Sequence, residues 1–192
     1  MSKGSYTYEN GAVYEGAWTG TKRQGAGKFT QPNGAVYEGA FHNDMRHGNG
    51  AMSYPDGSAY AGAWQNNQRH GKGKFTWKNG DVYEGDFKSN EMTGEGVFQW
   101  KESGDRYEGG FIDGVRQGQG KHTNATSGRI YEGNWLDNQR SGSGSEHNPD
   151  EDAEHWRYEG QWKNDKIHGK GKYIWGLGRH YEGDWVQGRR SG

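Results

Sequence analysis

Large and small residues alternate along short stretches of this chain, and the same stretch returns about every two dozen residues. The first complete copy reads Tyr14-Glu15-Gly16-Ala17-Trp18, then Gly25-Ala26-Gly27-Lys28-Phe29, and then Pro32-Asn33-Gly34. Alternation with a period of two is the pattern of a β-strand. The Asn and Gly residues between the stretches tolerate the backbone angles of tight turns. Each copy therefore predicts a hairpin of two strands.

The copies can be counted from their opening tyrosine, which is followed by glycine two residues later and by an aromatic ring four residues later. These tyrosines lie 23 to 27 residues apart and are Tyr14, Tyr37, Tyr60, Tyr83, Tyr107, Tyr131, Tyr158 and Tyr181. Self-similarity at such a period indicates a repeat architecture. We predict one array over residues 1–192, with eight units that start at these tyrosines, a half-unit at 5–13 and an acidic loop insertion at 146–154.

The glycines of each second strand, such as Gly71 and Gly73, are predicted to receive the rings of the neighbouring strand. Glycine weakens a strand interior unless something must approach the backbone closely, and the rings are candidates for that approach. With hairpins paired in chain order, the predicted fold class is all-β, an elongated single-layer antiparallel sheet of tandem β-hairpins. Because a single layer has nothing else to cover its aromatic face, we expect the rings to stay partly exposed.

The composition supports a sheet held by rings. The chain has 36 glycines, 12 tyrosines, 9 tryptophans and 6 phenylalanines, no cysteine, and a formal net charge of -1. The absence of cysteine excludes disulfides and thiolate metal sites. The balanced charge gives no general attraction to nucleic acid or to anionic membranes. No run approaches the roughly 20 apolar residues of a membrane-spanning helix.

Motifs for catalysis are missing from the repeats. Gly25-Ala26-Gly27 has the spacing of a phosphate loop, but no helix-forming segment follows to supply the N-terminus that such a loop requires. The glutamate that follows every opening tyrosine except Tyr60 belongs to the polar face of an open sheet, where no cleft brings two acids together. We therefore expect no enzyme activity, no cofactor and no metal ion.

The segments Tyr-Glu-Gly-x-Trp, Gly-x-Gly-x-Phe and Asn-Gly, at this spacing, closely resemble the MORN repeat (membrane occupation and recognition nexus). The resemblance covers Tyr6 to Gly192. It implies the single-layer hairpin array, and a scaffolding role at membranes, cilia or the cytoskeleton rather than catalysis. It also implies a cytoplasmic location in association with the cytoskeleton or with membranes, the cilium or flagellum included.

Our leading hypothesis is a protein partner, a helix or an extended segment, bound along an aromatic groove. Tyr and Trp are the residues that most often carry binding energy at interfaces. The predicted partner-binding residues are Tyr37, Phe41, Tyr60, Trp64, Trp77, Tyr83, Phe87, Trp100, Tyr107 and Phe111.

The alternative hypothesis is a module that binds phosphoinositides or anionic membranes through a row of arginines at one edge. The predicted lipid-binding residues are Arg23, Arg46, Arg69, Arg116 and Arg140. Acidic residues in the same turns dilute the positive field. The strand that starts at Tyr181 lacks a second strand in the sequence pattern. Either the sequence is a fragment of a longer array, or a second chain pairs with the open edge and forms a homodimer through the terminal repeats.

Two units depart from the aromatic pattern. His122 and Asn124 stand in the fifth unit where other units carry rings, and Glu146 and Asn148 do so in the sixth. The aromatic face is therefore predicted to thin in this part of the chain.

Overall fold

The computed structural model of the protein describes residues 1–149, 156–176 and 178–191. The described residues form strands and turns, and none of their segments is a helix that could cross a membrane. The all-β prediction is therefore confirmed. Of the predicted acidic insertion, Glu146 and His147 belong to a strand, and residues 150–154 lie outside the described part of the chain.

The chain divides into two units, residues 1–93 and 94–192. In unit 1 each strand pairs antiparallel with the next one along the chain. The strands are β1 Ser2–Thr7, β2 Val13–Thr19, β3 Lys22–Thr30, β4 Val36–His42, β5 Met45–Ser53, β6 Ala59–Gln65, β7 Gln68–Thr76 and β8 Val82–Lys88. Strand β1 overlaps the predicted half-unit at 5–13 over residues 5–7, and Val13 already belongs to β2.

Unit 2 repeats the same antiparallel pairing in chain order. Strand β9, Glu91–Gln99, contains the boundary between the units. The later strands are β10 Arg106–Ile112, β11 Val115–Thr123, β12 Ile130–Leu136, β13 Gln139–His147, β14 Trp156–Lys163, β15 Lys166–Trp175, β16 Arg179–Val186 and β17 Arg189–Ser191. The expectation that the strand at Tyr181 lacks a partner is wrong, because β17 pairs with β16.

Two-residue turns close the hairpins. In the turn between β4 and β5, Asn43 and Asp44 both have positive φ, 48° and 68°. Asn66 and Asn67 repeat this between β6 and β7, at 50° and 69°. Such turns match the right-handed twist of the strands they join, and Asn and Asp enter this backbone region more readily than most residues. The local sequence therefore sets the hairpin geometry.

Opening tyrosines lie flat over two glycines of their own hairpins, as seen at Tyr14, Tyr37, Tyr60, Tyr107, Tyr131 and Tyr158. A Cβ atom added to Gly50 would lie 2.3 Å from the Tyr37 hydroxyl, and one added to Gly39 would lie 2.5 Å from it. The hydroxyl donates a hydrogen bond to the Ala40 carbonyl at 2.9 Å, next to the β-bulge that separates Gly39 from Phe41. The predicted socket is confirmed for Gly73 and its equivalents, which lie beneath the tyrosine ring. It is wrong for Gly71, which has a φ of 66° and meets no ring, because its backbone geometry and not a ring requires glycine there.

The rings of the first strands pack edge to face into one continuous series in each unit, which we call the inner ring ladder. Consecutive ring centroids are 4.9–5.3 Å apart in unit 1 and 5.2–5.7 Å apart in unit 2. The members in unit 1 are Trp18, Tyr14, Phe41, Tyr37, Trp64, Tyr60, Phe87 and Tyr83. Those in unit 2 are Phe111, Tyr107, Trp135, Tyr131, Trp162, Tyr158, Trp185 and Tyr181. This ladder forms most of the core of each unit.

Candidate functional site

Eight of the ten predicted partner-binding residues belong to the inner ring ladder and are buried. They are 0–3% exposed and comprise Tyr37, Phe41, Tyr60, Trp64, Tyr83, Phe87, Tyr107 and Phe111. The expectation that these rings remain partly exposed is wrong, because the glycine sockets and the neighbouring ladder rings cover them. They can shape a binding face, but they do not present their own surface to a partner.

The other two predicted residues, Trp77 and Trp100, remain half-buried. In unit 1, Trp77 lies at the end of a second set of rings, which the second strands and their turns supply. Phe75 contacts Trp77 with centroids 4.7 Å apart, and Tyr54 lies 6.2 Å from Phe75. We call this set the outer ring row, and its half-buried members in unit 1 are Tyr8, Phe29, Tyr54, Phe75 and Trp77.

The outer ring row of unit 2 is interrupted. Phe98 and Trp100 lie at one end with centroids 4.6 Å apart, and Trp156 stacks on Tyr173 at 5.8 Å further along the chain. Trp77 is the one outer ring of unit 1 among the predicted partner-binding residues, and the other four outer rings are missing from that prediction. A signal was present, since Phe75 and Trp77 continue the alternation that begins at the socket glycines.

The arginines predicted to bind lipid join consecutive hairpins. The Arg23 backbone N–H donates to Asp44 Oδ1 at 2.8 Å, its Nη2 donates to the Asp44 carbonyl at 2.7 Å, and the Asp44 N–H donates to the Arg23 carbonyl at 3.1 Å. Arg46 makes the same three bonds to Asn67, and Arg69 makes them to Asn90. We call this arrangement the arginine clamp.

Unit 2 contains two more arginine clamps. Arg116 is bonded in this way to Asn138, and Arg140 to Asp165. Ile167 occupies the arginine position of the next hairpin, and there the following turn offers Gly188, whose N–H donates to the Ile167 carbonyl. The clamp has a signal in the sequence: an arginine near the start of one second strand, and an Asn or Asp in the turn of the following hairpin.

The clamped guanidinium groups lie over rings. The Cζ atom of Arg46 is 4.4 Å from the Trp64 ring centroid, and that of Arg69 is 4.8 Å from the centroid of the outer ring Phe75. A guanidinium that stacks on rings and donates to a carbonyl keeps few donors for a lipid head group. The lipid alternative for Arg23, Arg46, Arg69, Arg116 and Arg140 stays a prediction, and the geometry does not favour it.

The residue six positions after a clamped arginine decides what covers its guanidinium. It is a ring at Phe29 and Phe75, a thioether at Met52, an imidazole at His122 and a carboxylate at Glu146. The Sδ atom of Met52 lies 3.9 Å from Arg46 Nη1, and Glu146 Oε1 lies 2.9 Å from Arg140 Nη1. The predicted thinning of the aromatic face is therefore a replacement of rings by polar groups beneath the same kind of arginine.

A polar pocket of about 500 Å³ opens in unit 2 where these rings are missing. Trp100, Asp105, Arg116, His122, Arg129 and Glu146 are among the residues that line it. Burial lowers the pKa of His122, although Asp105, whose Oδ2 lies 3.5 Å from His122 Nε2, opposes that shift. Burial also lowers the pKa of the Arg116 guanidinium.

Burial has the opposite effect on the tyrosines of the ladder, because it disfavours the negatively charged phenolate. It raises the pKa values of Tyr37, Tyr60, Tyr107 and Tyr158 to about 12. None of these groups forms a nucleophile and base pair with a neighbour, and the described residues hold no group of three or more His, Asp or Glu side chains that could hold a metal ion. Among the described residues, the arrangement offers contact surfaces and charge.

Comparisons with solved structures find distant likenesses, and no curated protein sequence matches the chain. The TCP domain of SAS-4 (dCPAP) of Drosophila melanogaster, in complex with a proline-rich motif of Ana2 (dSTIL), has a TM-score of 0.49 at 12% identity, covering 94% of this chain and 88% of that one. The G-box domain of the microcephaly protein CPAP has a TM-score of 0.48 at 13% identity, covering 96% and 100%.

The family assignment comes from the repeats. The model of the MORN repeat matches eight consecutive segments, at residues 14–36, 37–59, 60–82, 83–104, 107–129, 131–153, 158–176 and 181–192. Each segment begins at one of the eight opening tyrosines. The chain belongs to the MORN repeat family.

Proposed function

We propose that this protein is a non-catalytic scaffold that binds a protein partner, a helix or an extended segment, on the outer ring row of unit 1. The observation that carries this proposal is that five rings remain half-buried on a face whose inner ring ladder is already complete. Tyr8, Phe29, Tyr54, Phe75 and Trp77 are not needed to fill the glycine sockets. A face of this kind is typical of interaction surfaces.

The arginine clamps support the proposal because they hold two of the outer rings, Phe29 and Phe75, in fixed positions. Arg23 stacks on Phe29 at 4.7 Å and Arg69 stacks on Phe75 at 4.8 Å, and both arginines are bonded to the backbone of the next hairpin. Rings that are already ordered lose little conformational freedom on binding, which favours affinity. The setting that we propose is a cytoskeletal, ciliary or membrane-associated assembly in the cytoplasm.

Replacing Tyr54 and Trp77 together by Ser tests the proposal. Capture of partners by the purified chain, quantified by mass spectrometry, should fall about tenfold or more, since interface rings of this type each carry 1.4 kcal/mol or more. Replacing Ile112 and Leu136 by Ser is the matched control, because these apolar side chains are exposed, at 56% and 50%, and lie outside the outer ring row.

Circular dichroism should show an unchanged sheet signal in both double variants, because all four positions lie outside the inner ring ladder. Equal capture by the Tyr54/Trp77 variant and the wild-type chain would reject the outer ring row as the binding face. A wild-type chain that retains no protein above an inert control would reject the scaffold itself.

A further inference from the structure

The polar pocket of unit 2 holds three carboxylates, and contacts within the unit already engage all of them. Asp105 Oδ1 accepts from the Ala125 N–H at 2.9 Å, and its Oδ2 accepts from Asn124 Nδ2 at 3.2 Å. Glu146 and Asp165 both pair with Arg140, at 2.9 Å and 3.2 Å. These acids are therefore neutralised or hydrogen-bonded, and none of them forms an ion pair with Arg116 or Arg129 within the described part of the chain.

Two arginines of the pocket make no ion pair with any residue that the structure describes. Arg116 donates from Nε and Nη2 to the side chain and backbone of Asn138, a neutral residue, at 3.3 Å and 2.8 Å. Its Cζ lies 4.3 Å from the Trp135 ring centroid and 5.6 Å from that of Trp100. Arg129 is exposed at the rim and lies over Trp156 at 5.1 Å.

The other clamped arginine of unit 2, Arg140, does form ion pairs, with Glu146 and Asp165. Arg140 faces Glu146 at the position six residues later, whereas Arg116 faces His122, whose lowered pKa keeps it neutral at pH 7. A protonated His122 would add a positive charge to the three that Arg116, Arg129 and Arg140 already bring to the pocket. The neutral imidazole therefore adds no charge beside Arg116, whose guanidinium feels Asp165 but forms no ion pair with it among the described residues.

We propose that this pocket binds one acidic side chain, glutamate or aspartate, of a peptide segment of the protein partner. A carboxylate matches the planar donor fork of a guanidinium, and the Trp100 ring beside Arg116 supplies apolar contact for the neighbouring part of the segment. The inference rests on the proposed function, since it gives the partner a chemical feature.

The lining of the pocket selects against larger anions. Its three arginines are opposed by Asp105, Glu146 and Asp165, so that its formal charge is close to zero while His122 is neutral. Carboxylates in the wall repel additional negative charge. A segment with one carboxylate fits this balance better than a phosphoinositide head group or a nucleic acid backbone.

The probe for this site is the peptide acetyl-Ala-Ala-Glu-Ala-Ala-amide, with its Gln counterpart as the control ligand. The readout is the indole ¹H–¹⁵N signal of Trp100 in the full chain, assigned with a Trp100→Phe variant. We expect a saturable shift with the Glu peptide and none with the Gln peptide. Arg129→Gln should weaken binding about tenfold, the effect of losing one charge-assisted hydrogen bond of about 1.4 kcal/mol.

Arg157→Gln is the matched protein control, because Arg157 is an exposed arginine of the same unit that pairs with Glu159 and does not line this pocket. Arg116→Gln should also weaken binding. If the Arg116→Gln variant does not fold, Arg129→Gln still tests the proposal. The proposal is overturned if the Glu peptide causes no shift at about 10 mM, or if Arg129→Gln and Arg157→Gln behave alike.

Other occupants would give different results. Tighter binding of inorganic phosphate than of the Glu peptide would overturn the assignment in favour of a phosphate site. Binding of the Glu peptide only after Asp150, Glu151, Asp152 and Glu154 are replaced by Asn and Gln would overturn it in favour of the chain's own acids. If the Glu peptide causes no Trp100 shift but the Tyr54/Trp77 variant still captures less partner than the wild-type chain, only the pocket is rejected and the proposed function stands.

Discussion

Units 1 and 2 each contain an inner ring ladder of the same kind, and they differ in their outer ring rows. In both units buried ladder tyrosines lie over a pair of glycines and donate to a backbone carbonyl, as Tyr60 does to Ala63 and Tyr131 does to Asn134, each at 2.9 Å. In unit 1 the outer positions carry rings such as Phe75, whereas the middle of unit 2 carries His122 and Glu146. The difference separates positions that hold the sheet together from positions that are free to change.

The physical reason lies in what each set of side chains must fit. A ladder tyrosine fills a socket that has no room for one more carbon atom, as the 2.3 Å approach to a Cβ on Gly73 shows. An outer side chain needs only to lie beside a clamped guanidinium, which interacts favourably with rings and with carboxylates alike. Arg69 over Phe75 and Arg140 beside Glu146 are two such solutions.

The largest expected effect follows from deleting a ladder ring in either unit. Tyr60→Ala and Tyr131→Ala should each lower the free energy of unfolding by about 4 kcal/mol, because each removes a fully buried ring and leaves a cavity. Urea unfolding followed by tryptophan fluorescence measures the loss. Tyr54→Ala, in the outer ring row, should cost less than half as much; a cost equal to that of Tyr60→Ala would contradict the division into two sets.

High pH should weaken both units through the same ladder tyrosines. Burial raises the pKa values of Tyr37, Tyr60, Tyr107 and Tyr158 to about 12, whereas the unfolded chain releases these protons near pH 10. The stabilisation is therefore complete below pH 10 and is lost as the pH rises through about 12, at about 3 kcal/mol for each tyrosine.

Circular dichroism and phenolate absorbance, recorded together over that range, measure this effect. The sheet signal should disappear as the ladder tyrosines ionise. Tyr60→Phe removes one ionisation and should make the loss less steep. Ionisation of all the tyrosines near pH 10 with an intact sheet would show that the ladder is not sealed from water.

Putting rings into the pocket of unit 2 should make it resemble unit 1. We expect the double variant His122→Phe and Glu146→Phe to raise the free energy of unfolding by about 1 kcal/mol, since replacing a partly buried ion pair by packed rings is often stabilising. It should also abolish the Trp100 shift caused by the Glu peptide. Glu132→Phe on exposed Glu132 of β12 is the control and should do neither; a destabilised double variant would show that the polar groups are required for folding.

The smallest expected effect is a weakening confined to unit 2 at mildly acidic pH. Burial lowers the pKa of His122, so the unfolded chain binds a proton at a pH where the folded chain does not. Stability is therefore complete above the ordinary histidine pKa of about 6.5 and decreases as the pH falls through the lowered value.

The shift of the unfolding midpoint between neutral and acidic pH measures the effect. His122→Gln should remove that part of the shift, whereas His180→Gln, which replaces an exposed histidine, should leave it unchanged. A wild-type chain equally stable at both pH values would show that His122 is not sealed in the pocket. Unit 1 has Phe29 and Phe75 at the equivalent positions, and neither can titrate.

The repeating hairpins could be predicted because their causes are local. Asn66 and Asn67 set a turn, and Gly62 and Gly73 mark where a ring must approach the backbone. The candidate site could be predicted only in part. Tyr54 and Tyr60 follow the same alternation, and the sequence pattern alone does not show which of them is buried.

The arginine row illustrates the same limit at the level of charge. The sequence places Arg46 in a polar turn region and so predicts an edge whose arginines are exposed to ligands. The structure turns its guanidinium onto Trp64 and bonds it to Asn67 of the following hairpin. That contact joins residues 21 positions apart, and no strand pattern within one repeat specifies it.

The amino-acid sequence by itself determined the period of the repeat, the strands, their turns and the family, because each depends on residues close together in the chain. The tertiary structure alone decided which rings are buried and which arginines are satisfied. It also decided that Asp105, His122, Arg129 and Glu146 line one pocket, because packing between consecutive hairpins brings together side chains that are far apart along the chain.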